Sequence, residues 1–468
     1  MGETEKEWTE DYRRSRQNGA EVRDSTDFEE KHNTESRVYE STGNCVLGPA
    51  LNSFVTWVLE SAMKTGKKRL YFLARDGYLM YHAAKIYVER LSLPIDCRYV
   101  SCSRYSLRLP LFHLDLDEAM EYICRGGIGV SLKRIMNRAG LEEKDQEKVL
   151  DETGETGREN EEIPYCELKQ VKEKLKNSRC FVEALNWYSK EAIPTATGYL
   201  AQSGFLDGTP DALVDSGWTG SMQKSMKRLL EYMGRTEPLE GYYWGLYELP
   251  RGVRREEYHC YYFSPEGQLR EKVYFNNNLF ETVFSAPHGM TMGYRKAGER
   301  YEPVYAPVSE ERVRQMKKLE DVLLKYIVRA AEMTADTENG LTGKEDCRDE
   351  RKAVGKLLRM FMTEPTKEEA DVYGSMAFCD DVLEYGGRRL AEVMDEQELK
   401  SNHVINKILV MTGFRRQTVK ESAWYEGSAV RSSEKPGVHL FQYRLYKYLL
   451  CIRQMYMWRK DNVQNRQG

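Results

Sequence analysis

Hydrophobic and polar positions alternate between two characters in this chain, and the change of character marks its elements. Leu70, Tyr71, Phe72 and Leu73 form a short apolar run rich in β-formers, broken by Arg75, Asp76 and Gly77. Met80, Ala84, Tyr87 and Leu91 then recur at helical spacing, which predicts a strand, a polar turn and a helix. Ala212, Leu213 and Val214 repeat the design: the turn spans Asp215–Gly220, and Met222, Met226, Leu229, Leu230 and Met233 give the helix its buried stripe. Further strands are predicted at Cys97–Ser101, Gly241–Tyr247 and Tyr258–Phe263, and an earlier helix through Leu51, Phe54, Val55, Val58 and Ala62. Helices are expected at Asp115–Arg125, Leu132–Ala139 and Phe181–Gln202, and residues 142–175 are charged and helix-prone with a flexible-looking centre at Glu152–Glu162. Residues 276–294 read as loop with a short helix at Leu279–Phe284. From Ser309 the stripe Met316, Leu319, Val322, Leu323, Ile327 and Ala330 is helical, a polar linker covers 335–350, and the last helix lies around Leu440–Trp458.

Strands alternating with helices predict an α/β Rossmann-like core with a largely parallel sheet over residues 37–305, carrying a helical insertion at about 115–202. Residues 306–468 are expected as an α-helical C-terminal domain, and residues 1–36, almost all polar or charged, as a disordered or loosely helical tail. A length of 468 residues allows two or three domains.

Charge and cysteine usage narrow the partners. Seventy Lys+Arg against 74 Asp+Glu leave a net charge of −4, which gives no electrostatic reason to expect nucleic acid or a membrane surface. The ten cysteines form no CxxC pair and no zinc-ligand spacing with histidine, as expected of free thiols in a reduced cytoplasm. No run approaches the ~18 apolar residues of a spanning helix, so no membrane span is expected.

The chemistry is concentrated in the two turns. Arg75 and Asp76 stand at a strand end, where α/β proteins place ligand sites, and Gly77 allows close backbone approach or a positive φ. In Asp215-Ser216-Gly217-Trp218-Thr219-Gly220-Ser221, two glycines and three hydroxyls between strand and helix suit a phosphate cradle, with Gln223 following. Trp218 is a candidate stacking platform and Asp215 a candidate metal or hydroxyl ligand. A tight turn with a serine cap and a buried tryptophan would use the same residues. Neither the P-loop nor the GxGxxG pattern is present. Ser103 and Arg104 follow the next strand and are candidates for the same sheet edge. Glu281 is a further candidate, as is His288 as an acid or base. Asp115, Asp117 and Glu118 read as a helix N-terminus, and Asp380-Asp381 as part of a helical face.

Several pieces together resemble a bacterial family of predicted hydrolases of the haloacid dehalogenase (HAD) superfamily that occurs with glycosyltransferases and surface-polysaccharide biosynthesis. They are Gly48-Pro49 with the helix through Trp57, YFLARDGYLM (71–80), YVSCSRYSL (99–107), VDSGWTGSMQ (214–223), FETVFSAPHGMTMGY (280–294) and WYEG (424–427). Fuller-length members carry, ahead of this region, a strand leading into a DxFDT-like nucleophile motif. That motif is absent here, so the resemblance covers the part following the phosphatase core. A second resemblance is to the phosphoribosyltransferase fold, in which a strand-loop-helix like LARDG holds pyrophosphate and a later loop like LVDSGWTGSMQ holds a ribose 5-phosphate. Here that loop has one acid, Asp215, where two are usual.

The resemblances imply a cytoplasmic HAD-hydrolase-like protein of surface-polysaccharide biosynthesis, binding a phosphorylated sugar or nucleotide-sugar at the strand ends. In a hydrolytic version Asp76 and Asp215 are the expected catalytic pair and hold Mg²⁺, while the Ser/Thr/Gly turn holds phosphate. In a phosphoribosyltransferase-like version Arg75 takes pyrophosphate and Thr219–Ser221 the 5-phosphate. A third version is a non-catalytic scaffold for glycosyltransferases.

Overall fold

The computed structural model describes residues 3–20, 28–126, 130–164, 167–337, 341, 347–378, 387–412 and 419–464. Helices α1 (Glu3–Ala20), α2 (Phe28–Thr42) and, after a π-helical turn, α3 (Gly48–Lys64) lead into β1 (Arg69–Leu73) and α4 (Gly77–Leu91). Next come β2 (Asp96–Val100), α5 (Arg104–Arg108), the insertion helices α6 (Leu116–Ile123), α7 (Leu132–Arg138), α8 (Glu143–Thr153) and α9 (Leu168–Asn177), and the long α10 (Arg179–Gln202). The chain then returns to the sheet through β3 (Asp211–Trp218), α11 (Ser221–Tyr232), β4 (Glu240–Leu246) and β5 (Tyr258–Phe263). It continues with α12 (Leu269–Val273), α13 (Asn277–Phe284), the hairpin β6 (Thr291–Ala297) and β7 (Arg300–Tyr305), α14 (Glu310–Ala335) and α15 (Cys347–Thr363).

Strands β1–β5 form one all-parallel sheet in the order β2-β1-β3-β4-β5. Its strands are apolar on both faces because helices cover both. Leu70, Phe72, Val214, Tyr242 and Trp244 pack against α3, α4, α13, α14 and α15. On the opposite face Tyr71, Leu73 and Leu213 meet Leu107, Leu200, Met226 and Leu229 of α5, α10 and α11. The connections from β1 and β3 therefore leave to opposite faces: α4 packs on the first and α11 on the second. Between two such strands the sheet opens a crevice at their carboxyl ends, the topological switch point of an α/β sheet. Both predicted turns lie there.

The insertion closes a core of its own around Phe112, Met120, Ile123, Ile135, Met136 and Leu185. The C-terminal helices instead share the main core, since Leu319, Leu323, Leu357, Phe361 and Trp424 belong to the same cluster as the sheet.

Three expectations are corrected. The N-terminal segment expected as a tail is helical over Glu3–Ala20 and Phe28–Thr42 and is packed down. Its few apolar residues recur one turn apart: Tyr12 is fully buried, Trp8 packs on the main core beside it, and the Tyr12 hydroxyl donates to Glu369 at 2.6 Å while Arg16 Nε donates to the same carboxylate at 2.9 Å. The turn expected at Asp215–Gly220 begins later, because β3 continues to Trp218 alongside β4, with Asp215 opposite Tyr243 and Trp218 opposite Leu246. The stretch read as loop up to residue 294 enters a β-hairpin at Thr291. Asp380-Asp381 lie outside the described residues.

Candidate functional site

At the end of β1 the chain turns through Ala74, Arg75 and Asp76 into α4, and the Ala74–Arg75 peptide is cis. No side chain caps the first amides of α4, and none caps those of α11, which starts after Gly220. Two helix N-termini, each with the positive end of its dipole uncovered by a side chain, thus stand on adjacent strands.

The alternation of β3 distributes the acidic groups. Ser216 and Trp218 face α4 and α13, while Asp215 faces the side of α5 and α11. The Ser216 hydroxyl donates to the Asp76 carboxylate, and the Trp218 indole N–H donates to Glu281 of α13. Asp215 is 8% exposed. Burial, and then the nearby Asp76 carboxylate, push Asp215 up to about 8. Burial and Asp76 likewise push Glu281 up to about 7, and burial raises Asp76 itself. Arg75, Arg104 and Arg312 act against the rise at Asp76, Arg104 also against that at Asp215, and Arg104 and Arg75 against that at Glu281. The site therefore holds two carboxyl groups, Asp215 and Glu281, poised near neutrality and a third, Asp76, of raised proton affinity, beside guanidinium groups, a setting suited to proton transfer next to a bound anion.

Gly217 and Gly220 make the turn sterically feasible. Gly217 has φ +110° and a Cβ there would lie 2.5 Å from the Gly245 carbonyl; Gly220 has φ +60° and a Cβ would lie 2.7 Å from the Tyr258 ring. Trp218 sits between them at φ +68°, a conformation that non-glycine residues adopt rarely and that concentrates at functional sites. Its ring is held by Phe263, Phe275, Phe280 and Tyr247. The half-buried hydroxyls of Thr219 and Ser221, 3.1 Å apart, remain at the mouth of α11.

Several candidates have other work. Trp218 is buried among aromatic rings and offers no stacking face to a ligand. Gly77 has no positive φ; it lets α4 press on β1, where an added Cβ would meet the Phe72 carbonyl carbon at 3.1 Å. Ser103 caps α5, accepting from the Ser106 amide at 3.0 Å and donating to the Thr291 carbonyl at 2.6 Å. Gln223 is fully buried, donating to the Leu239 carbonyl at 2.7 Å and accepting from the Tyr243 hydroxyl at 2.6 Å. His288 Nδ1–H donates to the Gly289 carbonyl and Nε2 accepts from the Tyr99 hydroxyl, each at 2.8 Å, so the ring is neutral and both nitrogens are engaged. Burial, and then Arg75, lower its proton affinity. Asp115 is an N-cap, accepting from the Glu118 amide at 3.0 Å.

Arg312, in the first turn of α14, carries no local sequence signal and joins the site only through the fold; its guanidinium also donates to the Ala377 carbonyl at 2.7 Å. Among the described residues no three His, Cys, Asp or Glu side chains converge on a common point as metal ligands. Asp76 and Asp215 supply at most two carboxylates, the number Mg²⁺ commonly takes from protein when phosphate and water complete its shell.

No protein-family model matches the chain, and no curated protein matches it in sequence. No described helix is long and apolar enough to cross a membrane.

Proposed function

We propose that this chain binds a phosphorylated sugar or nucleotide-sugar at the carboxyl ends of β1 and β3, as a cytoplasmic participant in surface-polysaccharide biosynthesis alongside glycosyltransferases. One observation carries the reading: two helix N-termini without side-chain caps flank the switch point, with Arg75, Arg104 and three carboxyl groups of raised proton affinity between them. The amides and guanidinium groups receive phosphate, and the Thr219 and Ser221 hydroxyls add donors at the mouth of α11. Asp215 and Glu281 then exchange protons with the leaving or attacking oxygen. Were Mg²⁺ to accompany the phosphate, Asp76 and Asp215 are the residues that would hold it, and it would supply positive charge against the phosphate. The HAD resemblance contributes the biosynthetic setting; its nucleophile motif is absent, so Asp76 is assigned no covalent role.

A second reading, a phosphoribosyltransferase-like transferase, is favoured by a specific observation. The two loops that this resemblance pairs, LARDG and LVDSGWTGSMQ, follow strands that are direct neighbours in the sheet. Two anion sites side by side suit a ligand with phosphate groups at two positions. Thermal shift of the full chain with sugar 1-phosphates, nucleotide-sugars, pyrophosphate and phosphoribosyl pyrophosphate separates the readings. Stabilisation by nucleotide-sugars or sugar phosphates, weakened in Arg104→Ala, supports the first. Stabilisation by phosphoribosyl pyrophosphate alone supports the second. No stabilisation by any of them, in a folded sample, rejects both and leaves the scaffold.

A further inference from the structure

Beside the phosphate site a cluster of rings extends from the edge of the main core, against which Tyr78, Tyr81 and Tyr99 pack, out toward solvent at Tyr305. Tyr78, Tyr81 and His82 of α4, Tyr99 of β2, His288 and Tyr305 of β7 form a continuous half-buried to exposed array. The Tyr78 and Tyr99 rings are 5.6 Å apart and edge-on, Tyr99 and His288 are 5.7 Å apart, and His288 stacks on Tyr305 at 4.3 Å. Tyr305 is 39% exposed with its ring partnered by His288. The interior aromatic cluster around Trp218 and Trp244 differs from this array, because it is shut off from solvent.

The array adjoins the carboxyl end of β1. Tyr99 pairs in register with Phe72, and Tyr78 lies in the first turn of α4, directly after the Arg75–Asp76 turn. The polar atoms of Tyr78, Tyr99, His288 and Tyr305 are already used. The Tyr99 hydroxyl donates to His288 at 2.8 Å, the Tyr305 and Ser101 hydroxyls are 2.6 Å apart, and the Tyr78 hydroxyl donates to Glu320 at 3.2 Å. What the array has left to offer a ligand is ring surface. A planar base, with a π-face on each side, is recognised by ring faces on which to stack.

We propose that this aromatic array seats a nucleobase, so that the ligand of the phosphate site is a nucleoside diphosphate or its sugar derivative. The inference rests on the phosphate-site reading and narrows it. The diphosphate lies over Arg75 and the helix N-termini, and the base reaches toward β2 and the β6–β7 hairpin.

Isothermal titration of the full chain with uridine diphosphate, adenosine diphosphate, pyrophosphate and glucose 1-phosphate tests it. At least one nucleoside diphosphate should bind about tenfold or more tightly than pyrophosphate, the scale of one stacked base. Tyr305→Ala, at the most exposed ring of the array, should remove that advantage while pyrophosphate binds as before and the thermal unfolding midpoint stays close to wild type. Tyr305→Phe, which keeps the ring and loses only the hydroxyl, should retain it. Pyrophosphate binding with no preference for either nucleotide, or a preference that survives Tyr305→Ala unchanged, overturns the inference and leaves the phosphate site standing. Binding of none of the four overturns the phosphate site and the inference together.

Discussion

Replacing Asp215 by asparagine should make the protein more stable at alkaline pH, and the size of the effect follows from where the carboxyl sits. An aspartate in the unfolded chain loses its proton near pH 4, while burial and the neighbouring Asp76 hold Asp215 protonated in the folded state up to about 8. Between those values the unfolded state binds fewer protons than the folded one, so stability falls as pH rises through the window and is lost in full above 8. At about 1.4 kcal/mol for each tenfold change in proton affinity, the whole fall attributable to Asp215 is at most about 6 kcal/mol. For a chain of 468 residues unfolding as one unit, that corresponds to about 6 °C in Tm. Asparagine keeps the side-chain shape and an oxygen to accept from the Ser216 amide, but it carries no charge to bury. Glu281, held up to about 7 by burial and Asp76, contributes a second fall that ends earlier. The window from pH 7 to 8 therefore belongs mainly to Asp215. Thermal unfolding of ligand-free protein from pH 4.5 to 9 should show wild type and Asp215→Asn nearly coincident at pH 4.5 and diverging by several degrees by pH 8.5, the variant higher. Parallel curves across the range would refute the placement of a neutral carboxyl at the end of β3.

The same carboxyl groups set the pH dependence of binding. Without divalent metal, pyrophosphate affinity should fall between pH 7 and 8.5 as Asp215 and Glu281 ionise beside the anion; with Mg²⁺ at millimolar concentration the fall should be reduced or reversed, because ionised Asp215 beside Asp76 attracts the cation, and titration calorimetry at both pH values decides. Gly217→Ala should cost about 2 kcal/mol or more, because φ +110° and a 2.5 Å approach to the Gly245 carbonyl both oppose a Cβ; denaturant unfolding with an unchanged midpoint would count against the turn geometry. Tyr12→Phe should cost about 1–2 kcal/mol by removing the hydroxyl that donates to Glu369 and accepts from Arg16, while Arg16 keeps its bonds to Glu369, and susceptibility of α1 to limited proteolysis should rise with it.

Legibility in the sequence follows the range of the interactions involved. The strand-turn-helix at Leu70–Leu91 and the stripe Met222–Met233 are local patterns, and both elements stand where periodicity puts them. The turn after Val214 was misplaced because Asp, Ser and Gly favour turns, yet pairing with β4 carries Asp215–Trp218 onward as strand. Tertiary hydrogen bonding outweighs the local preference there, and the result is a tryptophan at positive φ. The N-terminal helix was misread for a related reason: its composition is polar, and two aromatic residues one turn apart suffice to dock it once Glu369 offers a partner. The roles within the candidate site were the least legible. Ser103, Trp218 and Gln223 look like ligand groups in the sequence because hydroxyls, indoles and amides suit ligands; in the fold each is consumed by a cap, a core or the pair of carbonyls just ahead of β4 and β5. The groups that remain toward the crevice come from distant segments: Asp76 after β1, Asp215 within β3, Glu281 on α13 and Arg312 on α14. Only the sheet order β2-β1-β3 brings the first two together, and no spacing along the chain encodes it. What the sequence marks reliably is thus the pair of strand ends, and what the fold adds is the exclusion of water that turns two ordinary carboxyl groups, Asp215 and Glu281, into groups able to exchange protons near neutral pH.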